Sequence, residues 1–325
     1  MDGYRVIRIN DTSEAERYLR EIGAEELGIK LMVPKAVFRA VKIQSIPAPA
    51  AGIIKQEMLA KGGEAAVNRR TITGQGRTDV LLLGTLRQYQ LLINKLKQQP
   101  FGLKKLAAEL ECLLQNMESG SRVKLNLPSG LHPTRGEKTL IMGILNVTPD
   151  SFYDGGRYSE VDAALNRARE MVEEGADIID LGGFSTRPGA SPVPPEEEIR
   201  RVVPVLKRIK QEMPQVPVSV DTFVAATARA VLEAGADMIN DPGGLKADPG
   251  MASVVAGYGC PVVIMHNRLG GGYQDLMAEV VADFKDAIGL ALERGISREK
   301  IVVDPGIGFG KNAEENLTLI RNLGE

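Results

Sequence analysis

The sequence predicts an α/β protein, a (β/α)8 TIM barrel of which six of the eight strands are present, preceded by a small α/β domain. Three observations carry this. From about residue 131, short apolar runs rich in Val and Ile alternate with amphipathic stretches, as strands of a parallel sheet covered by helices require. One segment repeats: Glu174-Gly175-Ala176-Asp177-Ile178-Ile179-Asp180 recurs as Glu233-Ala234-Gly235-Ala236-Asp237-Met238-Ile239-Asn240, with the two glycines 60 residues, or two βα units, apart. Finally, Asn146-Val147-Thr148-Pro149-Asp150 follows the first run, where a doubly wound dinucleotide-binding sheet would carry a glycine fingerprint.

Length and composition set the frame. The 325 residues suggest two domains, expected at 1–130 and 131–325, and 43% hydrophobic with 25% charged residues is an ordinary soluble composition. Long disorder, collagen-like repetition and coiled coils are excluded. The opening MDGYRVIRIND lacks a signal peptide's apolar core, and no apolar run approaches the ~18 residues of a membrane span, so a cytoplasmic protein with no membrane partner is expected. Cys112 and Cys260 lie far apart and form no metal or disulfide pattern. Residues 1–130 carry 20 Lys and Arg against 13 Asp and Glu, but dispersed, which reads as a solvated surface and no nucleic-acid partner.

In the first domain, Tyr4-Arg5-Val6-Ile7-Arg8-Ile9 alternates as a strand, and Asp11-Thr12-Ser13-Glu14 is a helix-start signal. Pro47 to Gly52 reads as a turn, and Asp79-Val80-Leu81-Leu82-Leu83 as a buried strand. Helices follow with Leu91, Leu92 and Leu96, then Leu103, Leu106, Leu110, Leu113, Leu114 and Met117, at helical spacing. No chemical motif is present, and no role is assigned to this domain. The barrel strands are expected at 140–145, 178–181, 216–220, 238–240, 262–265 and 301–303.

Barrel enzymes work from the C-terminal ends of their strands. The residues there are Asn146, Asp180, Asp221, Asn240-Asp241, His266-Asn267 and Asp304, all polar. Singly each would be a turn former or helix cap; six around one mouth suggest a site. Gly182-Gly183-Phe184-Ser185-Thr186-Arg187-Pro188-Gly189-Ala190 combines backbone donors, hydroxyls and a guanidinium, which suits a diphosphate. Phe152, Phe184, Phe223 and Phe309 lie in post-strand loops and could stack on a flat heterocycle or cover the barrel top, the latter preferred for Phe223. Gly306-Ile307-Gly308-Phe309-Gly310-Lys311 has the wrong spacing for an ATP phosphate loop, and His266 has no partner set for zinc. For His266, ligand contact and structural hydrogen bonding stay equally open.

Leu145 to Phe152 and Gly182 to Ala190 resemble the two signature loops of dihydropteroate synthases. The likeness continues in Ser219-Val220-Asp221-Thr222, Ile239-Asn240-Asp241, Met265-His266 and Asp304 to Lys311, across residues 138–325. Pro242 and Asn267-Arg268 depart from the usual loop residues. The resemblance implies a transferase of folate biosynthesis, and hence a sulfonamide target, that joins 6-hydroxymethyl-7,8-dihydropterin diphosphate to p-aminobenzoate and releases pyrophosphate. It implies pterin contacts from Asp221, Asn240, Met265, Asp304 and Phe309, and contacts to p-aminobenzoate and diphosphate from Phe152, Ser185, Thr186, Arg187 and Pro188. Asn146, Asp150, Thr186 and Arg187 are implied at the catalytic centre, with Asn146 as ligand to Mg²⁺, and the complete protein as a homodimer. Six strands of eight mark the chain as a C-terminally truncated fragment, expected to be inactive alone because the family's later Lys, Arg and His contacts lie beyond it. Rival readings are a pterin-binding corrinoid methyltransferase, which needs no diphosphate loop, and a non-catalytic accessory protein of the folate pathway.

Overall fold

The computed structural model describes residues 4–118, 127, 139–147, 157–184, 193–268 and 272–324. Its contacts divide the chain into two units, Met1–Ser121 and Arg122–Glu325.

The first unit contains α1 (Thr12–Glu21), α2 (Glu26–Ala36), β1 (Phe38–Pro47), α3 (Ala48–Ala60), β2 (Glu64–Val67), β3 (Arg77–Thr85), α4 (Leu86–Leu96) and α5 (Leu103–Glu118). The strands form an antiparallel sheet in the order β1-β3-β2. Asp11 caps α1 by accepting from the Glu14 amide at 2.8 Å, as its sequence signals. Two expectations fail here. Tyr4 to Ile9 alternates but pairs with no strand, and Tyr4 and Val6 are almost fully exposed. Pro47 to Gly52 is mostly the first turn of α3, which tolerates proline because its first amides have no helical acceptor. The core gathers Ile54, Met58, Leu82, Tyr89, Leu92 and Leu96, while Leu113 and Met117 of α5 face outward.

The second unit repeats one motif. In order it runs β4 (Met142–Asn146), α6 (Arg157–Glu173), β5 (Ile178–Gly182), α7 (Pro195–Glu212), β6 (Val218–Asp221), α8 (Ala225–Glu233), β7 (Met238–Asp241), α9 (Met251–Tyr258), β8 (Val262–Met265), α10 (Leu276–Glu293), β9 (Ile301–Asp304) and α11 (Ala313–Arg321). The six strands are parallel and neighbours in chain order, a six-stranded arc of a barrel with β4 and β9 outermost. The internal repeat has a structural cause. Gly175 and Gly235 adopt φ of 108° and 101°, a left-handed turn out of a helix that favours glycine. Asp177 then accepts from the Ile141 amide, and Asp237 from the Val218 amide, so each stitches its strand to the preceding one.

Side chains alternate along each strand. Ile179, Leu181, Val218, Val220, Ile239, Val262 and Ile264 pack outward against the helices. Ile178, Met238 and Val263 gather instead with Leu127, and with Met142 and Val302, at the strands' N-terminal ends. Leu127 therefore belongs to the barrel core, and the unit boundary falls before it, not at 130.

Candidate active site

The same alternation brings the next layer to the barrel mouth. Two positions above that floor, the sequence turns polar: Asp180 on β5, Asn240 on β7 and Asp304 on β9, with Met265 beside them on β8. Strand register places Asn146 level with Gly182, Gly182 with Asp221, Asp221 with Asn240, and Met265 with Asp304.

Asp180 links this layer. It is 5% exposed, and its Oδ2 accepts a hydrogen bond from Asn240 Nδ2 at 2.9 Å. Burial raises its pKa, opposed by Ser219 and Asn240, with the Asp304 charge adding to the rise. Asp221 carries a buried Oδ1 with no hydrogen-bond partner. Burial, followed by the charges of Asp180, Glu198 and Asp241, pushes its pKa up to about 8, so at neutral pH it is largely a neutral acid. Asp304 accepts from the Gly306 amide at 2.9 Å, which fixes its carboxylate at the start of the glycine-rich loop. Asn146 is exposed, and its Oδ1 lies 2.8 Å from where a Cβ on Gly182 would sit.

Other expected residues take supporting places. Asp241 accepts from the amides of Gly243 and Leu245 at 2.7 and 2.8 Å and braces the turn after β7; burial raises its pKa to about 6. His266 sits with Nε2 3.0 Å from Asp283 of α10, and burial lowers its pKa. That pairing gives Nε2 a structural partner, while Nδ1 is buried without one. Lys311 donates from Nζ to the carbonyls of His266, Gly306 and Phe309, at 3.2, 3.0 and 3.0 Å. It therefore ties the loop together. Gly306, at φ 65°, lies so close to the His266 carbonyl that a Cβ would collide with it. Phe223 packs edge-on against Phe184, ring centroids 5.3 Å apart, and Phe309 lies half-buried near the mouth.

Asp150, Phe152, Ser185, Thr186, Arg187 and Pro188 lie outside the described residues. Two residues were not assigned from sequence. Asp180 is one of six polar strand ends, and nothing local marks it as the partner of Asn240. Glu198 is 1% exposed and accepts from Thr227 Oγ1 at 2.7 Å, with burial raising its pKa. In sequence it hides within Glu196-Glu197-Glu198, an ordinary acidic helix start. Among the described residues, no group of three or more His, Cys, Asp and Glu could hold a metal ion.

The profile of the family described as pterin binding enzyme matches residues 142–325. A dihydropteroate synthase of Clostridium beijerinckii is 51% identical over 188 residues, covering 58% of this chain and 70% of that protein. The chain belongs to the dihydropteroate synthase family. Folate-pathway transferases of this family also share its fold: a Clostridium difficile dihydropteroate synthase structure aligns at a TM-score of 0.56 with 51% identity, covering 58% of this chain and 72% of that one. A structure of the Xanthomonas albilineans synthase with 4-aminobenzoic acid aligns at 0.58 with 44% identity, over 62% and 73%. The first unit has its own likeness. A probable bifunctional folylpolyglutamate synthase/dihydropteroate synthase of Halobacterium salinarum is 39% identical over 324 residues, 98% of this chain but 38% of that protein.

Proposed function

We propose that the mouth formed by Asp180, Asp221, Asn240 and Asp304 binds a dihydropterin by its hydrogen-bonding edge, and that the chain serves the condensation of 6-hydroxymethyl-7,8-dihydropterin diphosphate with p-aminobenzoate. One observation carries this reading. Three acids and an amide converge where, among the described residues, no cationic side chain bonds to Asp180, Asp221 or Asn240. A buried set of this kind needs donors from elsewhere. A pterin supplies adjacent 2-amino and N3–H donors, to which the anchored Asp304 carboxylate bonds in a fork. Neutral Asp221 gives its proton to a ring acceptor. Met265 and Phe309 offer apolar and aromatic surface to the ring.

In the reaction the arylamine nitrogen forms a bond to the pterin methylene carbon as the C–O bond to the diphosphate breaks. Pyrophosphate leaves with the electron pair, and the amine loses a proton. No nucleophilic side chain is required, and Cys260 is buried away with its thiol pKa raised by burial. Diphosphate and p-aminobenzoate fall to Asp150, Phe152 and the segment Ser185 to Pro188. Mg²⁺ fits at Asn146: an exposed carboxamide oxygen is a hard ligand, and Gly182 leaves it room to turn. Bound there, the ion supplies charge that offsets the leaving diphosphate. A cytoplasmic location and a homodimer complete the reading; no helix among the described residues is long and apolar enough to cross a membrane.

Calorimetric titration with 6-hydroxymethylpterin tests it. Wild-type chain should bind, and Asp304→Ala should lose about 30- to 1000-fold in affinity, the worth of a charged hydrogen-bonded pair in a buried site. Equal binding by both proteins would remove the assignment.

A further inference from the structure

Asp180 is more buried than Asp221, Asn240 and Asp304, yet it is joined to one of them. Its Oδ2 accepts from Asn240 Nδ2 at 2.9 Å, across two strands and 60 positions of sequence. Oδ2 of Asp180 is the acceptor in this bond, so the bond decides which end of the Asn240 amide faces downward. Turning that amide by half a rotation would set its Oδ1 against Oδ2 of Asp180, two acceptors in a space where Asp180 is 5% exposed. With Nδ2 held, the amide offers the mouth one acceptor, Oδ1, and one remaining N–H donor, in fixed order.

That order matters because flat bicyclic heterocycles of the same size differ in it. A pterin presents N1 as an acceptor beside the 2-amino donor. A pteridine-2,4-dione presents the reverse, N1–H beside a 2-oxo acceptor, while its N3–H and 4-oxo groups are unchanged. We propose that Asp180 is a positioning residue that sets the hydrogen-bond polarity of Asn240, so that the mouth accepts the N1 and 2-amino edge of a pterin and rejects that of a pteridine-2,4-dione. The inference rests on the reading of the mouth as a pterin site. Register supports it, since Asn240 stands level with Asp221, whose unpartnered buried Oδ1 belongs to the same layer. Asp180 also acts on Asp221 electrostatically, its charge being the largest contribution after burial to the raised pKa there.

The test titrates the 325-residue chain at pH 7 with 6-hydroxymethylpterin and with 6-hydroxymethylpteridine-2,4-dione. Wild type should prefer the pterin. Asp180→Asn keeps the shape but offers either end of a carboxamide, so the preference should fall by about tenfold or more, through weaker pterin and stronger dione binding. Val220→Ala removes outward-packed core on a neighbouring strand; it should lower the melting temperature and leave the preference intact. An unchanged preference in Asp180→Asn, or equal losses for both heterocycles, would overturn the proposal. Should Asp180→Asn fail to fold, the side-chain amide of Asn240 in the wild-type NMR spectrum decides. One slowly exchanging proton is expected, and two rapidly exchanging ones would overturn it. Wild type that binds neither heterocycle would defeat the functional reading itself, a result distinct from bound pterin with unaltered selectivity.

Discussion

The two units treat polar side chains differently. In the first, Thr78 is the one buried polar residue among those described; in the second, Asp180, Glu198, Ser219, Thr222, Thr227, Asp237, Asp241 and His266 are all buried. Several ion pairs of the first unit, such as Arg17 with Glu21, lie on exposed helix faces, and Lys61 with Glu57 is half-buried. Burying a carboxyl group is costly unless partners are at hand, and the first unit keeps its described carboxyl groups out of its core. The second unit accepts that cost at the barrel mouth, and it is there that family resemblance places the chemistry. Asp237 is held by the Val218 amide and the Lys210 ammonium, and Asp241 by the amides of Gly243 and Leu245. Asp180, Glu198 and Asp221 differ in each keeping one buried carboxyl oxygen without a hydrogen-bond partner.

The contrast can be broken at several points. The largest effect should come from cores, where the units ought to respond alike. Leu92→Ala in the first and Leu181→Ala in the second should each cost about 2 to 5 kcal/mol, measured by urea unfolding. A near-neutral result for either would mean that its core is not packed as described. Gly306→Ala forces a side chain into a left-handed turn against the His266 carbonyl. It should weaken pterin binding by an order of magnitude or more, as about 1 to 3 kcal/mol of strain displaces Asp304's loop. Unaltered affinity would free the loop from any role in anchoring Asp304.

The pH response sharpens the comparison further. Asp221 has its folded pKa raised to about 8 from an ordinary value near 4. The folded state therefore holds a proton that the unfolded state releases, and the resulting stability is complete below pH 4 and lost as pH rises through 8. Asp221→Asn should flatten that decline, with a melting temperature above wild type at pH 8.5. Parallel pH curves for the two proteins would show that Asp221 ionises normally. The smallest effect belongs to the first unit's surface: Arg17→Ala removes an exposed pair and should leave the melting temperature unchanged.

Much of the barrel was legible because its signals are local. Buried strands of Val and Ile, left-handed glycines at Gly175 and Gly235, and polar residues closing each strand all fall within a few positions of one another. The observed strands start and stop within two residues of those expected. The first unit was harder. Tyr4 to Ile9 alternates as well as any strand, but a strand needs a neighbour and finds none, whereas Phe38–Pro47 gains β3 as its partner across some forty residues. Leu127 looks like part of a linker beside Pro128-Ser129-Gly130 until the barrel floor supplies its contacts. Within the site, Asp221, Asn240, Met265 and Asp304 could be named from their motifs. The weight of Asp180 and Glu198 could not, because it arises from burial and from bonds to residues 60 and 29 positions away.

The central claim, that the heterocycle is held by the acids and the amide of the barrel mouth, is most directly tested by hydrogen–deuterium exchange with and without 6-hydroxymethylpterin. The account predicts slower exchange at the ends of β6, β7 and β9, around residues 221–224, 240–245 and 304–310. Bound pterin that leaves the three strand ends exchanging as before would contradict it.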